Sequence, residues 1–489
     1  MARETKLRLG LASYEGPASR PRRGEPVERV LRGPMVRSAH AGAAPTTVPS
    51  LLAEVPALMR LEREVEQELR PLLRERLVEK IAAEAASLKG TAPRCDLCGE
   101  TMKCRGRKPF SFTCRFGEVA LTASTYRCPP CRRQKCPLLD KLGVEVGRLS
   151  GSLARLVALL GVVVPYELAA RLVVLFFGVE ISPMTVWRTV QRLGEALEER
   201  NEALARHHAG AHSDANAPAS APDAVLLGVD GCALGMQVRK NRRTPPGSGE
   251  KLPPLPVVEE GHFREVKTGV LLLPSERVEP SPGRRSVLRR ALVTCLGNAD
   301  AIFDRLWAKL HELQWLGPTT VVVIVGDGAE WIWNRAEMFP CRCEILDFWH
   351  AVEHAWEFAR LHFGDTASKT TGWVAHLAED LRAGNVEDVV VRLRTLQTST
   401  PEAQDKLDSL IRYYTNNATR MRYDEYLRRG YGIGSGAIES AHKQVVHARL
   451  RQAGMRWSEA GARRLLALRV LLLNQQWSLL DRLPMARVA

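Results

Sequence analysis

Apolar residues along this chain follow two periods. Two stretches are continuous runs that end in an acid. Residues 224–232 read A-V-L-L-G-V-D-G-C and carry Asp230, and residues 319–327 read T-T-V-V-V-I-V-G-D and end on Asp327. Runs of this length, bounded by Gly, predict buried central strands, the first continuing to residue 238. Residues 263–273 alternate and then turn wholly apolar, and 343–348 form a short run, so further strands are expected there. Elsewhere the period is helical. Ser50 caps a segment in which Leu51, Leu52, Val55, Leu58, Leu61 and Val65 keep helical spacing, and Pro71 is expected to kink or split it. Residues 150–210 read as all helix, started by Ser150 and interrupted at Pro165. Residues 299–313 put Ile302, Phe303, Leu306, Leu310 and Leu313 on one side. Residues 350–429 are helical and charged. Ser458 caps a closing helix whose Leu465, Leu466, Leu468, Leu472 and Leu473 are core.

Turn and cap residues refine this. Gly178 follows one helix, and Ser182-Pro183 starts the next with an N-cap and a proline at the first helical position. Helix, short turn, helix is the helix-turn-helix pattern, with Thr185, Arg188, Thr189, Gln191 and Arg192 available to a major groove while Val186 and Val190 face the core. Residues 209–222, rich in Ala, Pro, Ser and Asp, form a linker, and the basic, Pro-rich residues 239–256 form a loop.

Composition adds a partner. The 489 residues suffice for several domains, and the net charge is +15. Residues 91–150 hold 12 Lys/Arg against 5 Asp/Glu, and residues 440–489 hold 9 against 2, so these two blocks carry nearly all of the excess. Positive charge focused in this way points to a polyanion, double-stranded DNA, rather than to a diffuse solvated surface. There is no signal-peptide pattern, and residues 156–177 are broken by Pro165, Glu167 and Arg171, so no membrane span is expected; a cytoplasmic, nucleoid-associated protein is. Residues 1–48 read as a disordered basic leader, either a passive tail or a DNA contact. The helix over 50–88 either pairs with another subunit or packs on its own domain.

Cysteines add a metal. Of eleven, Cys95 and Cys98 form one CxxC knuckle and Cys128 and Cys131 another. This spacing, with a strand–turn–strand pattern between the pairs and a turn at Gly117, is the layout of a zinc ribbon with a structural Zn²⁺. Cys104, Cys114 and Cys136 are left over and read either as buried free thiols or, for one of them, as a substitute ligand. Arg105, Arg107, Lys108, Arg132, Arg133 and Lys135 make the module a candidate DNA contact.

The acids add chemistry. Asp230 and Asp327 end strands, and Glu439 begins a helical segment, G-I-G-S-G-A-I-E-S-A-H-K. Any one alone is explained as a strand end or a helix cap. Together, in strand–strand–helix order in a basic protein, they suit two Mg²⁺ or Mn²⁺ ions that clamp an in-line phosphodiester displacement, Asp230 serving both ions, Asp327 one and Glu439 the other. His350 either orients DNA or a neighbouring carboxylate or is structural. Trp331, Trp333 and Trp349 either stack a base or fill the core. Arg449, Arg451 and Arg456 are read as tracking the DNA backbone.

The pieces G-V-D-G-C, I-V-G-D-G-A-E-W-I-W, I-L-D-F-W-H-A-V-E-H, G-S-G-A-I-E-S-A-H-K and R-L-R-Q-A-G-M-R-W-S together resemble the Kra-type family of bacterial insertion-sequence DDE transposases, and more distantly the Mutator-like group, over residues 95–475. The resemblance implies an RNase H-like core with Asp230, Asp327 and Glu439 as its triad. It also implies that Asp347-Phe-Trp-His350 is the D-x-x-H element, and that the activity is cutting and rejoining DNA at the element's terminal repeats and at target DNA. Many DDE enzymes carry a basic residue seven positions after the glutamate; here that position is Val446, and Lys443 or His447 falls nearer the Glu439 face on an ideal helix. The expected architecture is thus a multidomain α/β protein. It comprises leader (1–48), N-terminal helices (49–90), zinc ribbon (91–140), helix-turn-helix (141–210), RNase H-like core (222–348), helical insertion (349–430) and the Glu439 and closing helices (431–489). It is expected to act as a homodimer or higher assembly. The rival expectations are an inactive DNA-binding regulator and a nuclease that cuts without joining.

Overall fold

The computed structural model describes residues 56–88, 92–144, 149–209, 221–237, 262–281, 284–287, 289–364 and 367–483. The basic leader, nearly all of the linker and the loop over 239–256 lie outside the described residues. The chain divides into two compact units, Met1–Val65 and Glu66–Ala489. Of the first, only the opening turns of helix α1 (Ala57–Ser87) are described. Pro71 does not split α1, which is helical on both sides of it.

In the second unit, β1 (Lys103–Cys114) and β2 (Gly117–Arg127) form an antiparallel hairpin that turns between Cys114 and Gly117, where Gly117 has φ +108°. β3 (Gln134–Lys135) completes that small sheet. Phe112, Cys114, Val119 and Ala123 pack under it with Ile81 and Leu138 of α2 (Pro137–Leu142). Three helices follow: α3 (Gly151–Val163), α4 (Tyr166–Phe177) and α5 (Pro183–His208). Ser150 and Ser182 each accept an N–H three residues on, and Gly178 closes α4 at φ +60°, so the caps fall where local chemistry puts them.

The central sheet takes β4 (Ala224–Gly235), β5 (Phe263–Leu272), β8 (Arg290–Leu296), β9 (Val321–Gly326) and β10 (Arg342–Leu346), in the order β10-β9-β4-β5-β8. β6 (Arg277–Ser281) and β7 (Arg284–Val287) form a separate pair. β10, β9 and β4 are parallel, and β4, β5 and β8 alternate in direction. α6 (Ala299–Glu312) connects β8 to β9, and α7 (Glu330–Ala336) connects β9 to β10. Helices α8 (Phe348–Phe363), α9 (Ala367–Arg382), α10 (Val386–Arg394), α11 (Pro401–Asn417) and α12 (Tyr423–Arg428) follow. α13 (Gly436–His442) then enters a π-helical turn over Lys443–His447, continued by α14 (Ala448–Leu450) and α15 (Glu459–Leu473).

Two glycines show how the sheet is covered. Leu306 of α6 crowds Gly269, and Ile438 of α13 lies over Gly228. Gly228 pairs with Val270, the neighbour of Gly269, and side chains alternate along a strand, so α6 and α13 cover opposite faces. One hydrophobic core runs from Leu149 to Leu480 and joins α3–α5, the sheet and α15.

α5 and α15 approach closely at Gly194, where a Cβ would sit 2.5 Å from the Arg464 backbone oxygen. Gly194→Ala is therefore expected to destabilise the protein by about 1–3 kcal/mol, because backbone must move to admit one methyl. Gly372→Ala, in open space on α9, should stabilise it by about 0.5–1 kcal/mol. Urea midpoints of the two variants beside the wild type check the contrast.

Candidate active site and zinc knuckles

The register of β4 on β9 sets the site. Gly228 lies opposite Val325, so Asp230, within β4, and Asp327, just past the end of β9, each two residues further on, come side by side. Asp230 Oδ1 accepts the Gly231 N–H at 2.6 Å. Asp327 Oδ1 accepts the Ala329 N–H at 3.0 Å, and its carbonyl accepts the Tyr413 hydroxyl at 2.7 Å. Burial pushes the Asp230 carboxyl up to about 6; the Gly231 N–H and His350 oppose the rise, and the charges of Asp327 and Glu265 add to it. Among the described residues, neither aspartate has a Lys or Arg ion pair. Glu265 was not singled out from sequence; its carboxylate occupies the space a Cβ at Gly231 would need.

Glu439 lies on α13, which crosses the same sheet face. It is exposed, close to the Ser435 hydroxyl at 3.3 Å, and lines a cleft of about 1340 Å³ with Trp349, Arg290, Arg382 and Ser440. From α13 it is His442 that pairs with Asp230, its Nδ1 3.5 Å from Asp230 Oδ2. Among the described residues, the only set of three or more His, Cys, Asp or Glu with ligand atoms within 4.8 Å of one another is the four zinc-type cysteines. The three acids thus share one sheet face without closing to single-ion spacing. Burial and the nearby His447 push His442 down to about 4.

Asp347 holds this region together. It is 2% exposed; its Oδ1 accepts the N–H groups of Trp349 and His350 at the start of α8, and its Oδ2 accepts the Ser435 N–H, four residues before Glu439. Asp347 therefore meets the His350 backbone, not its imidazole, whose Nδ1 lies 3.5 Å from Glu353. Of the three tryptophans considered from sequence, Trp333 is buried and Trp331 lies under Lys267, 3.7 Å from its ring centre; Trp349 is 61% exposed.

Several basic and polar residues sit elsewhere than the sequence suggested. Lys443, His447, Arg451 and Arg456 are exposed, and Arg451 reaches His447 Nε2 at 3.0 Å. The ideal-helix phase that placed Lys443 and His447 fails beyond Lys443, because a π turn begins there, and Val446 is fully buried. Arg449 is 1% exposed. It donates to the Gly161 carbonyl at 3.1 Å and lies between the Tyr166 and Trp457 rings, so it has no surface to offer DNA. On α5, Val186 and Val190 are buried as expected and Arg188 is exposed, with Thr185 and Arg192 half-buried. Thr189 is 6% exposed and donates to the Thr185 carbonyl, and Gln191 is buried beside Arg464, so neither can read a groove. The physical reason is that α5 is wrapped by α3, α6 and α15. The remaining open face of its first turns carries Met184 and Trp187.

The two knuckles have matching backbones. Cys95 donates its N–H to the Glu100 carbonyl and Cys128 its N–H to the Arg133 carbonyl; Gly99 at φ +72° and Arg132 at φ +56° take the same left-handed position after the second cysteine of each pair. The four sulfurs lie within 4.8 Å of one another. The Cys98 and Leu97 N–H groups draw Cys95 down to about 7, whereas Cys98 beside it and burial push Cys131 up to about 12. Four converging sulfurs that cannot all ionise without a cation can hold zinc.

Replacing one knuckle sulfur should remove the metal. Cys128→Ser is expected to purify without the zinc carried by the wild type and to lose several kcal/mol of stability, read by atomic emission and thermal unfolding. For Asp230, the folded pKa of about 6 exceeds the ordinary 3.8, so ionisation opposes folding above pH 6 and the penalty fades below about pH 4. The side chain is 36% exposed, which screens the effect. Asp230→Asn should therefore stabilise the metal-free protein by about 1 kcal/mol at pH 7.5 and by nothing at pH 4, measured as unfolding midpoints at both pH values.

No protein-family model matches the chain, and no curated protein does. Among solved structures, one similar chain comes from the "Drosophila P element transposase strand transfer complex", at 10% identity and a TM-score of 0.25, over 70% of this chain and 83% of that one. No helix of the described residues is long and apolar enough to cross a membrane.

Proposed function

We propose that the chain is a DDE-type DNA transposase of an insertion sequence, cutting and joining DNA at the ends of its own element. The observation that carries this reading is the register that sets Asp230, within β4, beside Asp327, just past the end of the adjacent parallel β9, with the Asp230 carboxyl pushed up and no Lys or Arg paired to either among the described residues. Crowded, unneutralised carboxylates are poor structural elements but good ligands for a hard divalent cation. The five-stranded mixed sheet between α6 and α13 supports an RNase H-like core, and the α8–α12 segment before Glu439 supports a helical insertion.

Asp230, Asp327 and Glu439 would hold Mg²⁺ or Mn²⁺; when bound, the ions activate the attacking hydroxyl and stabilise the leaving 3′-oxygen. The chain's own residues do the rest. The Gly231 and Ala329 N–H groups orient the two aspartates. Asp347 holds the loop from which the Glu439 helix starts. Lys443, Arg451 and Arg456 present positive charge on the exposed side of the same segment, and the zinc-type hairpin adds Lys103, Arg105, Arg107 and Lys108. These suit phosphate contacts.

One observation favours a rival. The open spacing of the three acids fits a DNA-binding regulator without catalysis. The two readings separate on duplexes carrying the element's terminal repeats, with Mg²⁺ or Mn²⁺. Wild-type protein should nick and join these ends. Asp230→Ala, Asp327→Ala and Glu439→Ala should each still bind but lose at least ~10²-fold in rate, since each removes several kcal/mol of transition-state stabilisation. Binding without cleavage by the wild type would establish the regulator.

A further inference from the structure

The side chain of the Glu439 helix that meets Asp230 belongs to a residue without an assigned role. His442 lies three positions after Glu439, is 6% exposed, and brings Nδ1 to 3.5 Å from Asp230 Oδ2. Its Nε2 is buried with no hydrogen-bond partner. An orphaned buried nitrogen costs stability, so packing alone is a poor reason for an imidazole here; Leu or Phe would fill the space without that cost. The other Asp230 oxygen is already engaged by the Gly231 N–H. With His442 beside Oδ2, each oxygen of the carboxylate has a protein neighbour. The helix leaves α geometry directly after His442, in the π turn over Lys443–His447; His442 is buried, while Glu439, Lys443 and His447 are exposed.

We propose that His442 is a positioning residue that ties the Glu439 helix to Asp230, fixing both the plane of the Asp230 carboxylate and the separation between the first and third acids. This inference rests on the DDE reading. His442 touches neither DNA nor the reacting atoms and acts through Asp230.

Three proteins test it: wild type, His442→Ala and His442→Asn, whose amide can replace the Nδ1 donor. Each is measured for Mn²⁺ affinity by titration calorimetry, for DNA affinity, and for the Mn²⁺ dependence of cleavage. Loss of a residue that orients a metal-binding carboxylate typically costs ~10–100-fold. His442→Ala should weaken Mn²⁺ binding and raise the Mn²⁺ midpoint of cleavage by that factor with DNA affinity unchanged, and His442→Asn should recover most of both. Thermal unfolding separates this from loss of fold: if the alanine variant does not fold, the asparagine variant decides alone, near-wild-type Mn²⁺ affinity supporting the inference and loss at the alanine level overturning it. An unchanged Mn²⁺ affinity in a folded His442→Ala overturns the inference while the DDE reading stands. A wild type that neither binds Mn²⁺ nor cuts overturns both.

Discussion

Parallel pairing of β4 with β9 is the constraint on which the site depends. It sets the Asp230 carboxylate beside that of Asp327, where Asp230 is partly desolvated and the Asp327 charge opposes its ionisation. Such a pair is unfavourable for the empty fold, and much of the surrounding structure limits its cost. Backbone N–H groups point at one oxygen of each aspartate, and Tyr413 secures the Asp327 main chain. What stays unsatisfied is charge, since neither aspartate has a Lys or Arg ion pair among the described residues.

The helix that carries the third acid depends on a second set of buried polar contacts. Asp347 joins the start of α8 to the loop before α13. Two buried arginines on the far side of the π turn anchor the segment to α3. Arg469 donates to the Gln444 carbonyl inside that turn and to the Val162 carbonyl at the end of α3, and Arg449 donates to the Gly161 carbonyl. Buried guanidinium groups are tolerable because planar, delocalised charge can satisfy carbonyls that helix ends and π turns leave without partners. The same contacts join α3 to the Glu439 segment. The helices read from sequence as a separate recognition module therefore share one core with the sheet.

Much of the chemistry was legible because it is local. Ser150, Ser182 and Ser458 cap the helices their side chains predicted, since an N-cap bond spans only three residues. The two CxxC knuckles converge because the hairpin between them is written in alternating residues around Gly117. The Asp230 and Asp327 strands announce themselves by continuous apolar runs, which only a sheet covered on both faces requires. Arg449 and Thr189 were misplaced for one reason: a basic or hydroxyl residue in a basic, helical stretch looks like surface, and nothing local shows that a distant helix will cover it. His442 was passed over because its value lies in a contact with a residue 212 positions away (442 − 230).

By itself, then, the amino-acid order determined the two apolar strands that carry or lead to the aspartates, the N-caps at Ser150, Ser182 and Ser458, and which cysteines form knuckles, because those features arise from neighbours within a turn or a hairpin. Tertiary structure alone decided which strand ends adjoin, which side of α13 meets Asp230, and which basic residues remain outside. These depend on register between strands far apart in the chain and on a π turn that shifts helical phase by a fraction of a turn. No local periodicity encodes either.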